Sequence, residues 1–383
     1  LGGGPQNGIP GCHDTRGQLA VCGRAGVAAG NDDGADLIGR VSAGRRSLPD
    51  YGDVHDLRQR RYLDGDISYP GQTPRNVKTV FIVKTPPTGP FDFGRDLAAL
   101  PGGDCFTEVS VEFTSYCGHA VDLARQHCGS ADLVVAVGGD GTLNEVVNGC
   151  MLAVAEDSTI ALPVFGIVAS GTANDFIKST SLRGTLEEVI ALAARGSYRP
   201  VDVGRVDYSD REDQQASRYF INVADMGIGA SVVRRVNASG RRFGATVAYL
   251  WSIMTAFIDY RKPSIRVRSD AGLDWQGRAL ACIIGNGRCF GSGLYAVPDA
   301  VIDDGRLHSA IIGDVSLLDF VRKLPRLKWG RPIKHPEVIY HTCGSVTIST
   351  LDGPCAMDVD GEYLDCRDVS VSVVPAALLL LLP

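Results

Sequence analysis

The sequence lacks any long hydrophobic run and any excess of basic charge. In 383 residues the longest stretch made only of apolar residues is 376–382, which is too short to cross a bilayer as a helix. The 38 Lys and Arg against 44 Asp and Glu give a formal charge of −6. A mildly acidic chain lacks the broad positive field of a non-specific nucleic-acid binder. These absences predict a protein with no transmembrane segment and no nucleic-acid partner.

Closely spaced cysteines and several common catalytic motifs are also missing. The 11 cysteines are scattered without a C-x-x-C pair, which disfavours a zinc site or a disulfide scaffold. The pattern predicts free, mostly buried thiols in a reducing compartment, and hence a cytoplasmic protein. H-E-x-x-H, G-x-S-x-G and G-x-x-x-x-G-K-[ST] do not occur, so a zinc protease, an α/β-hydrolase and a P-loop NTPase are disfavoured.

Composition divides the chain into three parts. Residues 1–75 hold 15 of the 46 glycines and no Phe or Trp, which predicts a low-complexity, disordered extension. Residues 76–200 alternate buried-type strands with amphipathic helices, which predicts an α/β domain with a parallel sheet. Residues 201–383 contain short strands, including one at 218–225, and helices near 243–260 and 316–328. This part predicts a mainly antiparallel β-sandwich domain, whose last residues are free to return to the first domain, with the active cleft between the domains.

The strongest local motif is GGDGTLN at 138–144, where a predicted strand meets a helix. Glycines let backbone amides approach a phosphate group, and a helix N-terminus adds partial positive charge. Asp140 lies beside this path and is a candidate to hold Mg²⁺ directly or through water. The alternative is a glycine-rich turn in which Asp140 only caps the helix. The strand–loop–helix context favours phosphate binding.

A second glycine-containing loop, SGTAND at 170–175, follows the next predicted strand. Loops at the carboxyl ends of adjacent parallel strands converge on one crevice, so the two loops are expected to face the same ligand. Thr172 is a candidate phosphate ligand. Asn174 and Asp175 are predicted to cap the helix that follows.

Several segments in a fixed order over residues 77–383 resemble the diacylglycerol kinase catalytic-domain family, which includes bacterial-type lipid kinases and sphingosine kinases. They are GGDGTLNEVVNG, GIVASGTANDF, DVGRV, FINVADMGIGA, GNGRCFGSGLYAVPDAVIDDGRL and MDVDGEYL. The resemblance implies an ATP-binding first domain, a lipid-binding second domain and transfer of the ATP γ-phosphate to a lipid hydroxyl. One departure is the loop 85–89, which reads Thr-Pro-Pro-Thr-Gly where the family has an Asn-Pro-x-Ser-Gly-like sequence.

The same resemblance implies which residues contact the nucleotide. They are Thr114, Gly138, Gly139, Asp140, Gly141, Thr142, Leu143, Asn144, Glu145, Gly171 and Thr172.

Two further turns carry candidate carboxylates. From spacing alone, Asp360-Gly361-Glu362 is typical of a type I′ hairpin turn. The resemblance places the family's base on Glu362, with Asp360 assisting, and a carboxylate aimed at a hydroxyl orients it and takes its proton. Residues 301–307 also favour a hairpin turn, whereas the resemblance implies Mg²⁺ held by the Asp304 side chain and by the carbonyls of Val301 and Arg306.

Two segments of the second part suit either a core or a lipid surface. The helix 243–260 is apolar almost all round, which favours burial in the core; with one side exposed it would take up acyl chains or rest on a bilayer. The segment 322–331 mixes Lys and Arg with Leu and Trp, a composition that fits an anionic membrane surface or a solvated helix end.

The sequence as a whole predicts an ATP- and Mg²⁺-dependent lipid kinase that meets its lipid substrate at a membrane surface. Diacylglycerol is the first substrate choice, and a homodimer is left open. The alternatives are a sphingoid-base kinase, an NAD kinase sharing the GGDGT motif, and a non-catalytic module that binds a lipid or a nucleotide.

Overall fold

The computed structural model of the chain describes residues 77–85, 103–210, 214–239 and 245–383. The extension predicted over 1–75 and most of the loop 85–89 lie outside the described residues. The strands are β1 (Val77–Val83), β2 (Phe106–Phe113), β3 (Leu133–Gly138), β4 (Val164–Ala169), β5 (Tyr198–Ser209), β6 (Gln215–Phe220), β7 (Val223–Gly227), β8 (Ser264–Ser269), β9 (Asp274–Arg278), β10 (Ala281–Gly285), β11 (Leu307–Ile312), β12 (Val338–Cys343), β13 (Ser345–Thr350), β14 (Cys355–Val359), β15 (Glu362–Cys366) and β16 (Val369–Leu381). The helices are α1 (His119–His127), α2 (Asp140–Glu156), α3 (Leu186–Ala194), α4 (Ile228–Ser239), α5 (Ala245–Asp259) and α6 (Leu317–Lys328), with 3₁₀ turns at Gly103–Cys105 and Ile177–Ser179.

The first four strands form a parallel set in the order β2-β1-β3-β4. Strand β3 is buried along its whole length, as expected for a strand covered on both faces. Ile82 of β1 packs with α1 and α2 on one face, while its neighbour Phe81 packs with α3 on the other, because successive side chains of a strand point to opposite faces. The predicted α/β arrangement with a parallel sheet is confirmed.

Strand β16 joins this parallel set to antiparallel strands. Leu379 and Leu380, near its end, pair in parallel with β4, and the rest of the strand pairs in antiparallel fashion with β5 and β13. The result is one ten-stranded sheet that also includes β6, β8 and β9. The C-terminal residues are therefore part of the sheet that carries the glycine loops.

The second sheet is antiparallel, with six strands in the order β12-β11-β10-β7-β14-β15. One of its faces packs on the antiparallel end of the first sheet, through an apolar layer that includes Met226, Ile284, Ile348 and Met357. Side chains from α4, α5 and α6 pack together in a further apolar cluster. The predicted mainly antiparallel second part is confirmed.

The segment 218–225 differs from its prediction as a single strand. It is divided between β6 in the first sheet and β7 in the second. At the break, the backbone N–H groups of Ile221 and Asn222 donate to the carboxylate of Asp360, at 2.8 and 3.2 Å. Buried apolar side chains continue through the break, so the pattern of hydrophobicity does not reveal it. Strands β9 and β12 and helix α4 were also not predicted.

Within the described ranges, no helix is both long enough and apolar enough to traverse a lipid bilayer.

Two carboxyl groups are buried side by side in the second sheet. Asp225 of β7 and Asp358 of β14 are direct partners across an antiparallel pair, so both side chains lie on the same face of the sheet. Burial raises the pKa of Asp225 to about 7. Burial, together with the charge of Asp225, raises the pKa of Asp358. The Oδ1 atom of Asp225 is buried without a hydrogen-bond partner in the described part of the chain, so the folded state favours the protonated acid.

This pair gives stability a defined pH dependence. Because the pKa of Asp225 is about 7 when folded and about 4 in an unfolded chain, its contribution is fully present below about pH 4 and is lost as the pH rises through about 7. The wild type is expected to lose unfolding free energy between about pH 5 and about pH 8. We predict that Asp225→Asn loses less over the same range, as measured by urea denaturation. The same pH dependence in both proteins would contradict this assignment.

Candidate active site

The turn between β3 and α2 has the form of a phosphate cradle. Gly138 ends β3 and Gly139 is the N-cap of α2, and no side chain caps the helix. A Cβ atom added to Gly138 would lie 2.4 Å from Thr142 Oγ1, so a side chain does not fit there. An uncapped helix N-terminus reached through glycines presents its N–H groups and its partial positive charge to an anion.

The second glycine loop lies directly against the first. Ser170 and Gly171 both donate their backbone N–H to the Gly138 carbonyl, at 2.8 and 3.1 Å. A Cβ atom on Gly171 would lie 2.3 Å from the Gly139 Cα. The two backbones are therefore packed as closely as glycine allows. The predicted convergence of the two loops is confirmed.

Asp140 fastens the second loop to the first. Its two carboxylate oxygens accept the backbone N–H groups of Asp175 and Phe176, at 3.0 and 2.9 Å. Burial raises the pKa of Asp140, and these two donors oppose the rise. The carboxylate thus caps the 3₁₀ turn Ile177–Ser179 of the other loop.

The segment after the second loop differs from its prediction as a capped helix. It forms only the single 3₁₀ turn Ile177–Ser179. Asn174 does not cap that turn but adopts a left-handed backbone conformation (φ 47°) and donates its side-chain amide to the Gly171 carbonyl at 3.0 Å. The N–H groups of Asp175 and Phe176 before this turn are instead bonded by Asp140. Asp140 is distant in sequence, so a local pattern cannot reveal the contact.

The other predicted nucleotide contacts lie around the same loops. Thr114, after β2, accepts the backbone N–H of Thr85 at 3.1 Å and so joins the ends of β2 and β1. Glu145 accepts the N–H groups of Gly118 and Ala120, both at 3.3 Å, at the start of α1. Burial raises the pKa of the Glu145 carboxyl. Of the remaining contacts, Thr142, Leu143 and Asn144 are buried in α2, whereas Gly141 and Thr172 are exposed.

Asp360 connects the acidic turn to α2. Its carboxylate accepts the side-chain amide of Asn144 at 2.9 Å and the backbone N–H groups of Ile221, Asn222 and Val223, with the closest distances between 2.8 and 3.2 Å. Burial raises the pKa of Asp360 to about 6, and these donors oppose the rise. The glycine loop and the acidic turn are 216 positions apart and are directly bonded through this carboxylate.

The acidic turn is also the hairpin turn that its spacing indicates. Asp360 and Gly361 both have positive φ, 50° and 93°, as a type I′ turn requires. Val359 and Glu362 are cross-strand partners at its base. Asp358 stabilises the turn by accepting the Gly361 N–H at 2.7 Å. Glu362 is therefore the first residue of β15 and is held at a fixed place beyond the turn.

Glu362 lies close enough to Glu145 and Cys117 for its charge to affect both groups. Its charge contributes to raising the pKa of Glu145, although burial is the main cause. Partial burial raises the pKa of the Cys117 thiol, the charges of Glu145 and Glu362 add to this rise, and Lys84 and Arg218 oppose it. The half-buried Glu362 carboxylate accepts no hydrogen bond from any described residue. Glu362, Lys84 and Arg218 all lie close enough to Cys117 for their charges to affect its thiol.

Sequence reasoning missed the two cations and the polar contacts beside Asn144. Arg218 of β6 lies 3.4 Å from Asn144 Oδ1 through its Nη2 atom, and its Nε atom is buried without a partner in the described chain. Asn148 donates to the Tyr219 carbonyl at 2.9 Å and accepts the Tyr219 N–H at 3.0 Å. These contacts join α2 to β6 across a separation of about 70 residues, and no local signal in the sequence announces them.

The residues of the predicted metal loop lie together before β11. Asp304 accepts the Arg306 N–H at 3.0 Å and lies 2.9 Å from His308 Nε2, and Val301 is exposed. A residue that was not predicted anchors this loop: buried Asp202 of β5 accepts the N–H groups of Gly305 and Ala376, both at 2.7 Å. Within the described ranges, no group of three or more His, Cys, Asp or Glu side chains is arranged to hold a metal ion. The proposed ligands Asp304, Val301 and Arg306 stay a prediction.

The close contact of the two loops predicts a difference between two glycines. Gly171→Ala is expected to lower the free energy of unfolding by about 1–3 kcal/mol, because the added methyl group must displace the Gly139 backbone. Gly141→Ala is the matched control, since a Cβ atom there meets nothing within 4 Å and alanine favours the helix. Urea denaturation of both variants measures the difference. A Gly171→Ala variant as stable as the wild type would contradict the packing described.

The chain matches two protein-family models. Residues 103–206 match the family model described as "Diacylglycerol kinase catalytic domain". Residues 222–382 match the model described as "YegS C-terminal NAD kinase beta sandwich-like domain". The chain is similar to a protein of Staphylococcus carnosus named diacylglycerol kinase, with 30% identity over 257 residues, which is 67% of this chain and 78% of the relative. It is 28% identical over 253 residues to a protein of Pectobacterium atrosepticum named probable lipid kinase YegS-like, covering 66% of this chain and 79% of the relative.

A solved structure has the same fold. A protein of Bacillus anthracis, described as a putative diacylglycerol kinase, superimposes with a TM-score of 0.62 over 80% of this chain and 97% of that chain, at 20% identity. The two family matches, the relatives and the order of the motifs lead to one conclusion: this chain belongs to the diacylglycerol kinase catalytic-domain family, a family of ATP-dependent lipid kinases.

Proposed function

We propose that this protein transfers the γ-phosphate of ATP to the hydroxyl of diacylglycerol and so forms phosphatidic acid. The observation that carries the proposal is the bond between Asn144 and Asp360. It fixes an acidic turn beside a helix N-terminus that suits a phosphate. Transfer of a phosphoryl group to an alcohol needs both parts within reach of one another.

The glycine loops fit the phosphates of ATP. The α2 N-terminus has no side-chain cap. Gly139 and Gly171 approach each other closely and carry no side chains, so no side chain of theirs covers the backbone where the phosphates are proposed to lie. When bound, ATP supplies the phosphoryl group that is transferred. In this proposal Thr114 orders the start of the cleft by holding the ends of β1 and β2 together.

The contacts of Asp140 bear on the prediction that it holds Mg²⁺. Each oxygen of Asp140 already accepts one backbone N–H, so a cation at this carboxylate would share its oxygens with two amides. Magnesium at Asp140 therefore stays a prediction. The role supported by the contacts of Asp140 is to hold the second loop against the first.

Glu362 is the proposed general base. A base must present a free acceptor to the hydroxyl that attacks, and the Glu362 carboxylate accepts no hydrogen bond from the described residues. It orients the lipid hydroxyl and takes its proton as the hydroxyl oxygen bonds to the γ-phosphorus of ATP, while the bond from that phosphorus to the bridging oxygen breaks and ADP leaves. Lys84 and Arg218, which lie close enough to affect the same thiol as Glu362, place positive charge where the transferred group carries negative charge.

Asp360 is a positioning residue in this proposal. Its carboxylate is buried and occupied by three backbone N–H groups and the Asn144 amide, so it is not available to a substrate. It fixes the turn that precedes Glu362.

Diacylglycerol is proposed as the acceptor because relatives that are 30% identical over 67% of this chain are named diacylglycerol kinase. No contact among the described residues favours a sphingoid base or a dinucleotide. The substrate is decided by presenting the protein and labelled ATP with a panel of diacylglycerol, sphingosine and NAD. Label on phosphatidic acid is expected. Label on NAD alone, or on sphingosine alone, would replace diacylglycerol with that acceptor.

Removing the proposed base tests the mechanism. Glu362→Gln keeps the shape of the side chain but not the base, so kcat on diacylglycerol is expected to fall about 100- to 10,000-fold. The KM for ATP is expected to change little, because the glycine loops remain intact. The matched control is Glu187→Gln at an exposed position in α3, which should retain wild-type kcat. Wild-type turnover in Glu362→Gln would remove Glu362 from the mechanism.

A further inference from the structure

Helix α6 is apolar on two opposite faces. Its inner side contributes Phe320, Leu324 and Leu327 to an apolar cluster shared with α4 and α5. Its outer side presents the exposed residues Leu318, Val321, Arg322, Pro325 and Trp329. These five positions follow the spacing i, i+3, i+4, i+7 and i+11, which places them on one face of a helix. We call these five residues the α6 outer face.

The exposure of this face is unusual for the described chain. Leu318 is 57% exposed, Val321 41% and Trp329 70%, and they are three of the nine large apolar side chains that are exposed among the described residues. A solvated helix normally places polar residues on its outer side, whereas this face has one charged residue among five. Contiguous exposed apolar groups of this kind mark a surface that meets another apolar phase.

Positive charge surrounds the α6 outer face. The segment 317–334 carries Arg322, Lys323, Arg326, Lys328, Arg331 and Lys334 against Asp319 alone, a local charge of 6 − 1 = +5 in a chain of net charge −6. The one acidic residue accepts a hydrogen bond from Ser316 at the start of the helix. Trp and Leu surrounded by Lys and Arg match the layered chemistry of an anionic bilayer, which is apolar below and negative at its surface.

The end of α6 is fixed to the second glycine loop. Lys328 donates its ammonium group to the Ser292 carbonyl at 2.7 Å, and the Ser292 N–H donates to Asp175 at 2.8 Å. Tyr295, in the same connecting segment, donates its N–H to the Leu327 carbonyl at 2.9 Å. A short series of hydrogen bonds therefore connects helix α6 to the proposed phosphate site.

We propose that the α6 outer face is the surface by which this protein docks on an anionic lipid bilayer, with Leu318, Val321 and Trp329 inserted among the acyl chains and Arg322 at the phosphate level. The purpose of this docking rests on the proposed function, because a kinase that acts on a lipid must take its substrate from a bilayer. The binding itself does not depend on turnover. Docking of this kind sets the cleft at the membrane surface.

Vesicle sedimentation tests the binding without any enzymatic reaction. The protein is mixed with vesicles of phosphatidylcholine alone or with added phosphatidylglycerol. The variant Leu318→Ser/Val321→Ser/Trp329→Ser is expected to bind phosphatidylglycerol vesicles at least about tenfold more weakly than the wild type. Arg322→Gln is expected to lose about fivefold, and only on the anionic vesicles. The matched controls are Leu351→Ser and Arg268→Gln, which alter an exposed leucine and an exposed arginine elsewhere.

Activity measurements separate this proposal from the proposed function. The triple variant is expected to lose turnover on long-chain diacylglycerol in vesicles but to keep it on a water-soluble short-chain diacylglycerol. Wild-type vesicle binding by the triple variant would overturn the proposal that this face docks on a bilayer. If the oligomeric state of the variant changes while its vesicle binding does not, the face is an interface between copies of the chain and the proposal is likewise overturned. If the wild type phosphorylates neither lipid, the proposed function fails while the sedimentation result still decides the surface.

Discussion

The buried carboxylate of Asp360 is the contact on which the arrangement of the site depends. Burying a carboxylate costs several kcal/mol unless donors surround it, and here three backbone N–H groups and the Asn144 amide do so. The N–H groups come from the break between β6 and β7, and the amide comes from α2. One side chain therefore connects both sheets and helix α2, and Glu362 follows it by two residues.

Similar long-range contacts hold the two glycine loops. Asp140 reaches 35 positions along the chain to the N–H of Asp175, and Asp175 in turn accepts the N–H of Ser292. Both oxygens of Asp140 accept backbone N–H groups, so its position follows the fold. Asp175 accepts the Ser292 N–H and also pairs with the Lys178 ammonium group at 2.6 Å. A site made in this way is preorganised, which is what catalysis by positioning and electrostatics requires. The same series of contacts reaches α6 through Lys328, and it connects the proposed membrane surface to the glycine loops.

The strands and helices of the first part follow from local pattern, and so they were predictable. The apolar runs at β1, β3 and β4 and the Thr185 cap of α3, whose side chain accepts the Glu188 N–H, are encoded within a few residues. The break at Ile221 and Asn222 was not predictable, because it is caused by Asp360 from a distant turn. The sequence located the glycine loops and the acidic turn. It predicted Mg²⁺ at or near Asp140 and an assisting role for Asp360 beside Glu362, and both stay predictions. The contacts of the two carboxylates support positioning roles, which appear only when distant segments meet.

The most direct test of the central claim, that Asp360 acts by placing Glu362, is a double-mutant cycle on kcat with Asp360→Asn and Glu362→Gln. Circular dichroism and the KM for ATP establish that each variant is folded and binds the nucleotide. If Asp360 acts through Glu362, the double variant has the same kcat as Glu362→Gln alone. If the two losses multiply, Asp360 acts on the reaction independently of Glu362, and this account of the site is wrong.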